Sequence, residues 1–363
     1  MIVTIVGARP NFMKAAPIHA AFRQAGVAHE LIHTGQHYDA AMSKVFFEDL
    51  GMPRPIVDLG VGSGSHAEQT GAVMVGLERF FTEKRPRAVL VVGDVNSTMA
   101  ASIVAAKMGL YCAHVEAGLR SGDWTMPEEV NRVVTDSLAD LLLTPSSDGD
   151  ENLRREGCAP ESIVRVGNVM IDTLLQHLPK ARGLNVASRF GLTPHGYGVL
   201  TLHRPSNVDD PAVLGRILQT IVEICQKVPV VFPIHPRTRR QASAAGLGAR
   251  LEKTPGLVVT DPLGYLEFLS LTSQARIVLT DSGGLQEEST VLGIPCLTLR
   301  ENTERPVTIS QGTNRLCGTD PAVISREARR ALDLEVGAPH PVPELWDGKT
   351  APRIVSAVLE RIS

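Results

Sequence analysis

Ala88-Val89-Leu90-Val91-Val92-Gly93-Asp94 is the stretch on which the fold turns. Five apolar residues in a row, rich in valine, describe a strand buried on both faces, as in a parallel sheet covered by helices. The run stops at Gly93 and delivers an acid, Asp94, to the strand's end. The next apolar run, 111–115, leads into His114-Val115-Glu116-Ala117-Gly118-Leu119-Arg120, and Pro127-Glu128-Glu129-Val130-Asn131-Arg132 opens a helical pattern. In an open α/β sheet, ligands bind at the carboxyl ends of the strands. Asp94, Glu116 and Glu128 all fall where a strand ends or a helix begins. Three carboxylates gathered there suit proton transfer, because like charges held close push their pKa values apart, leaving one as base and another as acid.

Outward from this centre the same alternation continues. Strands are expected at 2–6, 29–33, 88–92, 111–115, 140–143 and 163–166. A second series follows at 198–202, 229–233, 257–260, 277–280 and 295–299. Helical patterns lie between them, at 12–25, 67–84, 97–108 and 129–139, then 212–227, 265–273, 285–292 and 321–332. Strands alternating with helices imply βαβ units. The series restarts across a Pro- and Gly-containing region, 168–198, read as a helix-like piece and a loop. The expected fold class is therefore α/β with two Rossmann-like domains and a site in the cleft between them. The first domain takes residues 1–167 and the second 168–350, with a C-terminal helix, 351–363, packing back on the first.

Bulk properties narrow the function. A chain of 363 residues is long for one core. A net charge of -3 gives no basic footprint for nucleic acid or an anionic membrane. The opening Met1-Ile2-Val3-Thr4-Ile5-Val6-Gly7 reads as a buried strand rather than a signal peptide, and no apolar run approaches the roughly 20 residues that span a bilayer. The five cysteines are scattered without a CxxC pair, which fits a reducing cytoplasm and neither a disulfide framework nor a zinc site.

Other strand ends carry further chemistry. Gly7-Ala8-Arg9-Pro10-Asn11-Phe12-Met13-Lys14 opens a helix but matches neither the dinucleotide nor the Walker loop; Arg9 and Lys14 there can hold a phosphate, or be solvated charges at a turn. Thr280-Asp281-Ser282-Gly283-Gly284-Leu285-Gln286-Glu287-Glu288 places Ser282 and two glycines at a helix start, where backbone N–H groups and the dipole favour pyrophosphate. Glu288, a turn further in, suits two ribose hydroxyls. The alternative is a capping box with Ser282 as cap, against which the doubled glycine argues. His203 and His235 close two strands of the second domain beside arginines, which favours an anion site. Thr34-Gly35-Gln36-His37 ends the second strand and is a weak signal alone. No H-E-x-x-H, EF-hand loop or G-x-S-x-G occurs, so no metal or other cofactor is expected.

Taken in order, these segments, with Thr303-Glu304-Arg305-Pro306, resemble the non-hydrolysing UDP-N-acetylglucosamine 2-epimerases of bacteria and archaea, over nearly the whole length. The resemblance implies GT-B glycosyltransferase architecture and interconversion of UDP-GlcNAc and UDP-ManNAc, by elimination of UDP to 2-acetamidoglucal and re-addition. It implies Asp94, Glu116, Glu128 and His203 as catalytic residues. Arg9, Lys14, Ser282, Gly283, Gly284, Glu288 and Arg305 match UDP contacts, Leu263 and Phe268 flank the uracil, and Arg132 and His235 lie near the diphosphate or sugar. Gln36 and His37 match parts of an activating second UDP-GlcNAc site, whereas Gly62-Ser63-Gly64-Ser65-His66 lacks a glutamine that some relatives use there. A cytoplasmic homodimer with a UDP-sugar as its partner, supplying ManNAc-type nucleotides for cell-surface polysaccharide, completes what the family implies. A hydrolysing 2-epimerase and a GT-B glycosyltransferase remain the alternatives.

Overall fold

A computed structural model describes residues 1–35 and 51–362, in two compact units, Met1–Thr173 with Glu344–Ser363, and Leu174–Pro343. In the first unit, β1 (Ile2–Val6), β2 (His29–His33), β3 (Val57–Asp58), β4 (Ala88–Val92), β5 (Tyr111–Val115), β6 (Leu141–Thr144) and β7 (Ile163–Arg165) form one sheet. Its order is β3-β2-β1-β4-β5-β6-β7 and the paired strands run parallel. Helices α1 (Arg9–Gln24), α2 (His66–Lys84), α3 (Asn96–Lys107), α4 (Pro127–Leu138) and α5 (Ser147–Arg155) connect them, and α6 (Val169–Gly183) carries the division between the units. On one face of the sheet, Ile18 and Phe22 pack with Leu90, Val92 and Leu141 and with Ile354, Val355 and Val358 of the C-terminal helix Thr350–Ile362. On the other, Val89 and Val91 pack with Val73, Leu77 and Phe81 of α2 and Val104 of α3. Both faces of β4 are thus buried, as its unbroken apolar run requires.

The second unit repeats the plan. Strands β8 (Gly198–Thr201), β9 (Val230–Pro233), β10 (Leu257–Thr260), β11 (Ile277–Thr280), β12 (Cys296–Thr298) and β13 (Asn314–Leu316) form a sheet ordered β10-β9-β8-β11-β12-β13. Helices α7 (Pro205–Val208), α8 (Pro211–Cys225), α9 (Pro236–Ala244), α10 (Gly248–Lys253), α11 (Tyr265–Thr272), α12 (Gly283–Leu292), α13 (Val307–Ser310) and α14 (Pro321–Asp333) surround it. In each sheet the order of winding reverses once, between β1 and β4 and between β8 and β11. Loops leave such a point in opposite directions and open a crevice at the strands' carboxyl ends. The loops there are Gly7–Ala8 and Gly93–Val95 in one unit, and Leu202–Arg204 and Asp281–Ser282 in the other. β3 and β13 were not expected; two or three residues, half of them polar, make no apolar run. The polar α5, SDGDENLRR, was not expected either.

Candidate active site

In the first unit the register pairs Val92 with Val115, so Asp94 and Glu116 leave neighbouring strand ends. Gly93 and Glu116 both have positive φ, 71° each. For glutamate this left-handed backbone costs of order 1–3 kcal/mol, a strain that collects at functional sites. Glu116 is buried and ion-paired with the buried Lys14 of α1, whose ammonium also lies beside Gly93. Asp94 accepts from Nε and Nη2 of Arg132 at 3.1 and 2.7 Å, and Asn131 holds its backbone carbonyl at 2.9 Å. Lys14 and Arg132 therefore each pair with one of these acids.

Helix α4 separates two adjacent glutamates by role. Glu129 is buried and accepts from the amides of Ser121 and Gly122 and from Arg132. Burial alone would raise its pKa, but those donors bring it below the ordinary value. Glu128 is half-buried and forms no hydrogen bond or ion pair with a described residue, which leaves its carboxyl available. No direct contact joins Glu128 to Asp94 or Glu116 among the described residues. Asn11 is built into the turn: its Oδ1 accepts from the amides of Gly7 and Ala8, and its Nδ2 donates to the Val92 carbonyl at 2.8 Å. Arg9 begins α1, but its side chain, like Gln36 and His37, lies outside the described residues.

In the second unit, Thr201 pairs with Thr280, which sets His203 beside Asp281. Asp281 is fully buried and takes His203 Nδ1 at 2.8 Å, the amides of His203 and Arg204 at 2.9 Å each, and Asn207 at 3.2 Å. Burial pushes this carboxyl up, but the histidine and the amides outweigh it and leave it low. An ionised Asp281 accepts from Nδ1–H, so the outer Nε2 of the partly exposed His203 is left to take or give a proton. His235 lies 6.0 Å away ring to ring; burial, His203 and Arg237 hold its pKa below the usual histidine value, so it is a neutral neighbour.

Helix α12 starts at Gly283, and the Ser282 side chain makes no cap hydrogen bond. The capping box is not formed, and the Ser282 hydroxyl is not used in that way. A Cβ on Gly283 would sit 2.7 Å from Nη1 of Arg305, so the guanidinium lies directly over the helix start. Glu287 and Glu304 hold Arg305 at 2.6 and 3.0 Å. A guanidinium fixed above a helix start is an arrangement that suits an anion, although here Glu287 and Glu304 also pair with it. Glu288 is buried and hydrogen-bonds to no described residue; burial, and then Glu287, push its carboxyl up to about 8. Leu263 and Phe268 are half-buried on the apolar cluster around Leu271.

The chemistry-bearing residues thus fall into two sets, each at one unit's switch point. Asp281 as the anchor of His203 was not singled out in the sequence; finding it requires knowing that β8 and β11 are neighbours. An Asp-x-Asp spacing does occur in the chain, Asp148-Gly149-Asp150. It lies on α5, where Asp150 is engaged by Arg165 at 2.6 Å, and no group of three potential metal ligands occurs among the described residues.

The family profile described as UDP-N-acetylglucosamine 2-epimerase matches residues 19–359. The chain belongs to that family. It is 40% identical over 356 residues to the UDP-N-acetylglucosamine 2-epimerase of Methanocaldococcus jannaschii, covering 97% of this chain and 96% of the relative. It is 41% identical over 336 residues to the UDP-2,3-diacetamido-2,3-dideoxy-D-glucuronate 2-epimerase of Pseudomonas aeruginosa, covering 91% and 92%. The crystal structure of the M. jannaschii UDP-GlcNAc 2-epimerase in complex with UDP-GlcNAc and UDP superposes with a TM-score of 0.90 at 40% identity, covering 99% of each chain. The α/β class with two parallel-sheet units and the GT-B type expected from the sequence stand on this likeness. No helix of the described residues is long and apolar enough to cross a membrane.

Proposed function

We propose that this chain is a non-hydrolysing 2-epimerase that interconverts UDP-GlcNAc and UDP-ManNAc. The observation that carries the proposal is the pair Asp94 and Glu116, ion-paired at neighbouring strand ends with Arg132 and Lys14. The C2 hydrogen of GlcNAc has no adjacent carbonyl, so a free carbanion there is poorly stabilised. Losing UDP from C1 as the C2 proton leaves avoids it, and re-adding UDP to the glycal with a proton on the other face inverts C2. Such a reaction needs a base and an acid for the two faces, drawn from Asp94, Glu116 and Glu128. It needs cations and N–H groups for the departing diphosphate, the roles assigned to Lys14, Arg9, Ser282, Gly283, Gly284 and Arg305. In this scheme Glu288 accepts the ribose hydroxyls, Leu263 and Phe268 flank the uracil, and His203, its Nδ1 fixed by Asp281, serves the leaving group, with His235 beside it. In this reading the catalytic carboxylates, with Arg9 and Lys14, belong to a domain of residues 1–167 and the other nucleotide contacts to 168–350. A cytoplasmic homodimer supplying ManNAc-type nucleotides for polysaccharide synthesis is the setting we propose.

The P. aeruginosa relative, at 41% identity, favours one second reading, a diacetamido-uronate substrate on the same chemistry. Proton NMR in heavy water tests both, with UDP-GlcNAc and the UDP-diacetamido-glucuronate supplied separately. The expected result is deuterium at C2 of both UDP-linked epimers of GlcNAc. Free ManNAc would instead mean hydrolysis, transfer to an added acceptor without exchange would mean a glycosyltransferase, and exchange only in the uronate would move the substrate.

A further inference from the structure

Beneath the carboxylates of the first unit lies a buried group that the proposed chemistry does not use. His114, the fourth residue of β5, has a fully buried side chain, and so has Asp136 of α4. His114 Nδ1 lies 2.6 Å from Asp136 Oδ1, and its Nε2 lies 2.8 Å from the carbonyl of Gly93. A carbonyl oxygen only accepts, so Nε2 carries a hydrogen. Asp136 also takes the Gly118 amide at 3.0 Å and Arg120 Nη1 at 2.7 Å. Burial alone would raise the Asp136 carboxyl, but His114 and Arg120 outweigh it and leave it ionised. Both ring nitrogens of His114 are thus engaged, Nδ1 by the carboxylate of α4 and Nε2 by the Gly93 turn.

The four bonds join three segments of chain. Gly93 precedes Asp94. Gly118 follows Glu116 by two residues, with φ at 81°, and its Cβ would meet the Gly149 carbonyl at 2.4 Å. Asp136 lies two helical turns beyond Glu128 on the same helix. We propose that His114 and Asp136 are positioning residues: a buried histidine–carboxylate clamp that registers the backbone carrying Asp94, Glu116 and Glu128 to one another. The three segments end separate elements, and a proton-transfer site tolerates little misplacement, since about 1 Å can cost 10²-fold in rate. The clamp never touches substrate. It holds Gly93 in the turn that presents Asp94, and it closes the turn in which Glu116 takes its left-handed backbone.

This inference rests on the assignment of the carboxylates above, so its test has one arm that depends on turnover and one that does not. Asp136→Asn keeps the shape: the amide donates to Nδ1 and Nε2–H still meets Gly93, while the carboxylate's tie to Arg120 is lost. His114→Gln retains a donor at the Nε2 position and His114→Ala retains none. The expected result is a kcat lowered about 10²-fold in Asp136→Asn and in His114→Ala, with KM and the UDP dissociation constant within about threefold of the parent, and part of the loss recovered in His114→Gln. Independently of turnover, amide hydrogen exchange in Asp136→Asn should rise in peptides covering 93–98 and 116–122 and stay unchanged in 2–6 and 29–33. Parental kcat and parental exchange would overturn the clamp. So would exchange raised throughout the unit with KM and kcat falling together, which marks a general fold defect. A parent that turns over no UDP-sugar, yet shows local loosening in Asp136→Asn, would refute the proposed function and leave the clamp standing.

Discussion

Glu288 makes the sharpest prediction, because its charge differs between the free protein and the proposed complex. Burial and Glu287 push its carboxyl up to about 8, so it is protonated at neutral pH. Accepting two ribose hydroxyls requires both oxygens as acceptors, which only the carboxylate provides. UDP binding at pH 7 therefore releases the proton, about 0.9 per site for a group titrating one unit higher. The ionisation costs about 1.4 kcal/mol at that pH, a tenfold loss of apparent affinity. The sign follows: affinity is full above pH 8 and falls about tenfold for each unit below it, reaching about a hundredfold loss at pH 6. Calorimetric titration of UDP in buffers of different ionisation enthalpy measures the proton count. The terminal phosphate of UDP titrates near 6 on its own account, so Glu288→Gln is the reference. The variant should bind more weakly at pH 9 and lack the release and the steep slope between 8 and 7. Equal proton release in parent and variant would refute the assignment of Glu288 to the ribose.

Three further outcomes are expected. Asp94→Asn, Glu116→Gln and Glu128→Gln should each lower kcat by about 10²–10⁴ with UDP affinity largely kept, as measured by steady-state kinetics beside calorimetry. Gly283→Ala forces a Cβ into the place of the Arg305 guanidinium, 2.7 Å away, and should weaken UDP binding, whereas Leu285→Ala, two residues further along the same helix and buried, should act on thermal stability instead. Asp281→Asn should lower kcat by releasing the His203 ring. Because the Asp281 pKa is depressed, its contribution to stability is full above the unfolded value near 3.8 and lost as pH falls below it, so the denaturation midpoints of parent and variant should converge in acid.

What could be read without coordinates follows a physical line. Apolar strands of four or five residues were legible because burial on both faces writes itself as an unbroken run, as in β4, or one broken by a single threonine, as in β1. Their ends were legible too, so Asp94, Glu116, His203 and Ser282 could be placed at the edge where ligands bind. Partnerships were not. Asp281 beside His203, Arg132 on Asp94 and Asp136 under His114 link residues 22 to 78 positions apart, and each depends on strand order or helix orientation that no local pattern records. The choice between Glu128 and Glu129 was likewise invisible, since it rests on which one the turn at Ser121 and Gly122 consumes.

The C-terminal helix has a consequence for how the chain is made. Ile354, Val355 and Val358 belong to the same apolar cluster as Ile2 and Leu90, while the whole of the second unit lies between them in sequence. On a ribosome adding roughly 5–20 residues per second, the N-terminal sheet waits some ten seconds or more for its last wall. The unit begun second, being continuous, has every element in hand first. Birth order and completion order are reversed, and the surface of Ile18, Phe22 and Val169 is what a nascent-chain chaperone would meet in the interval.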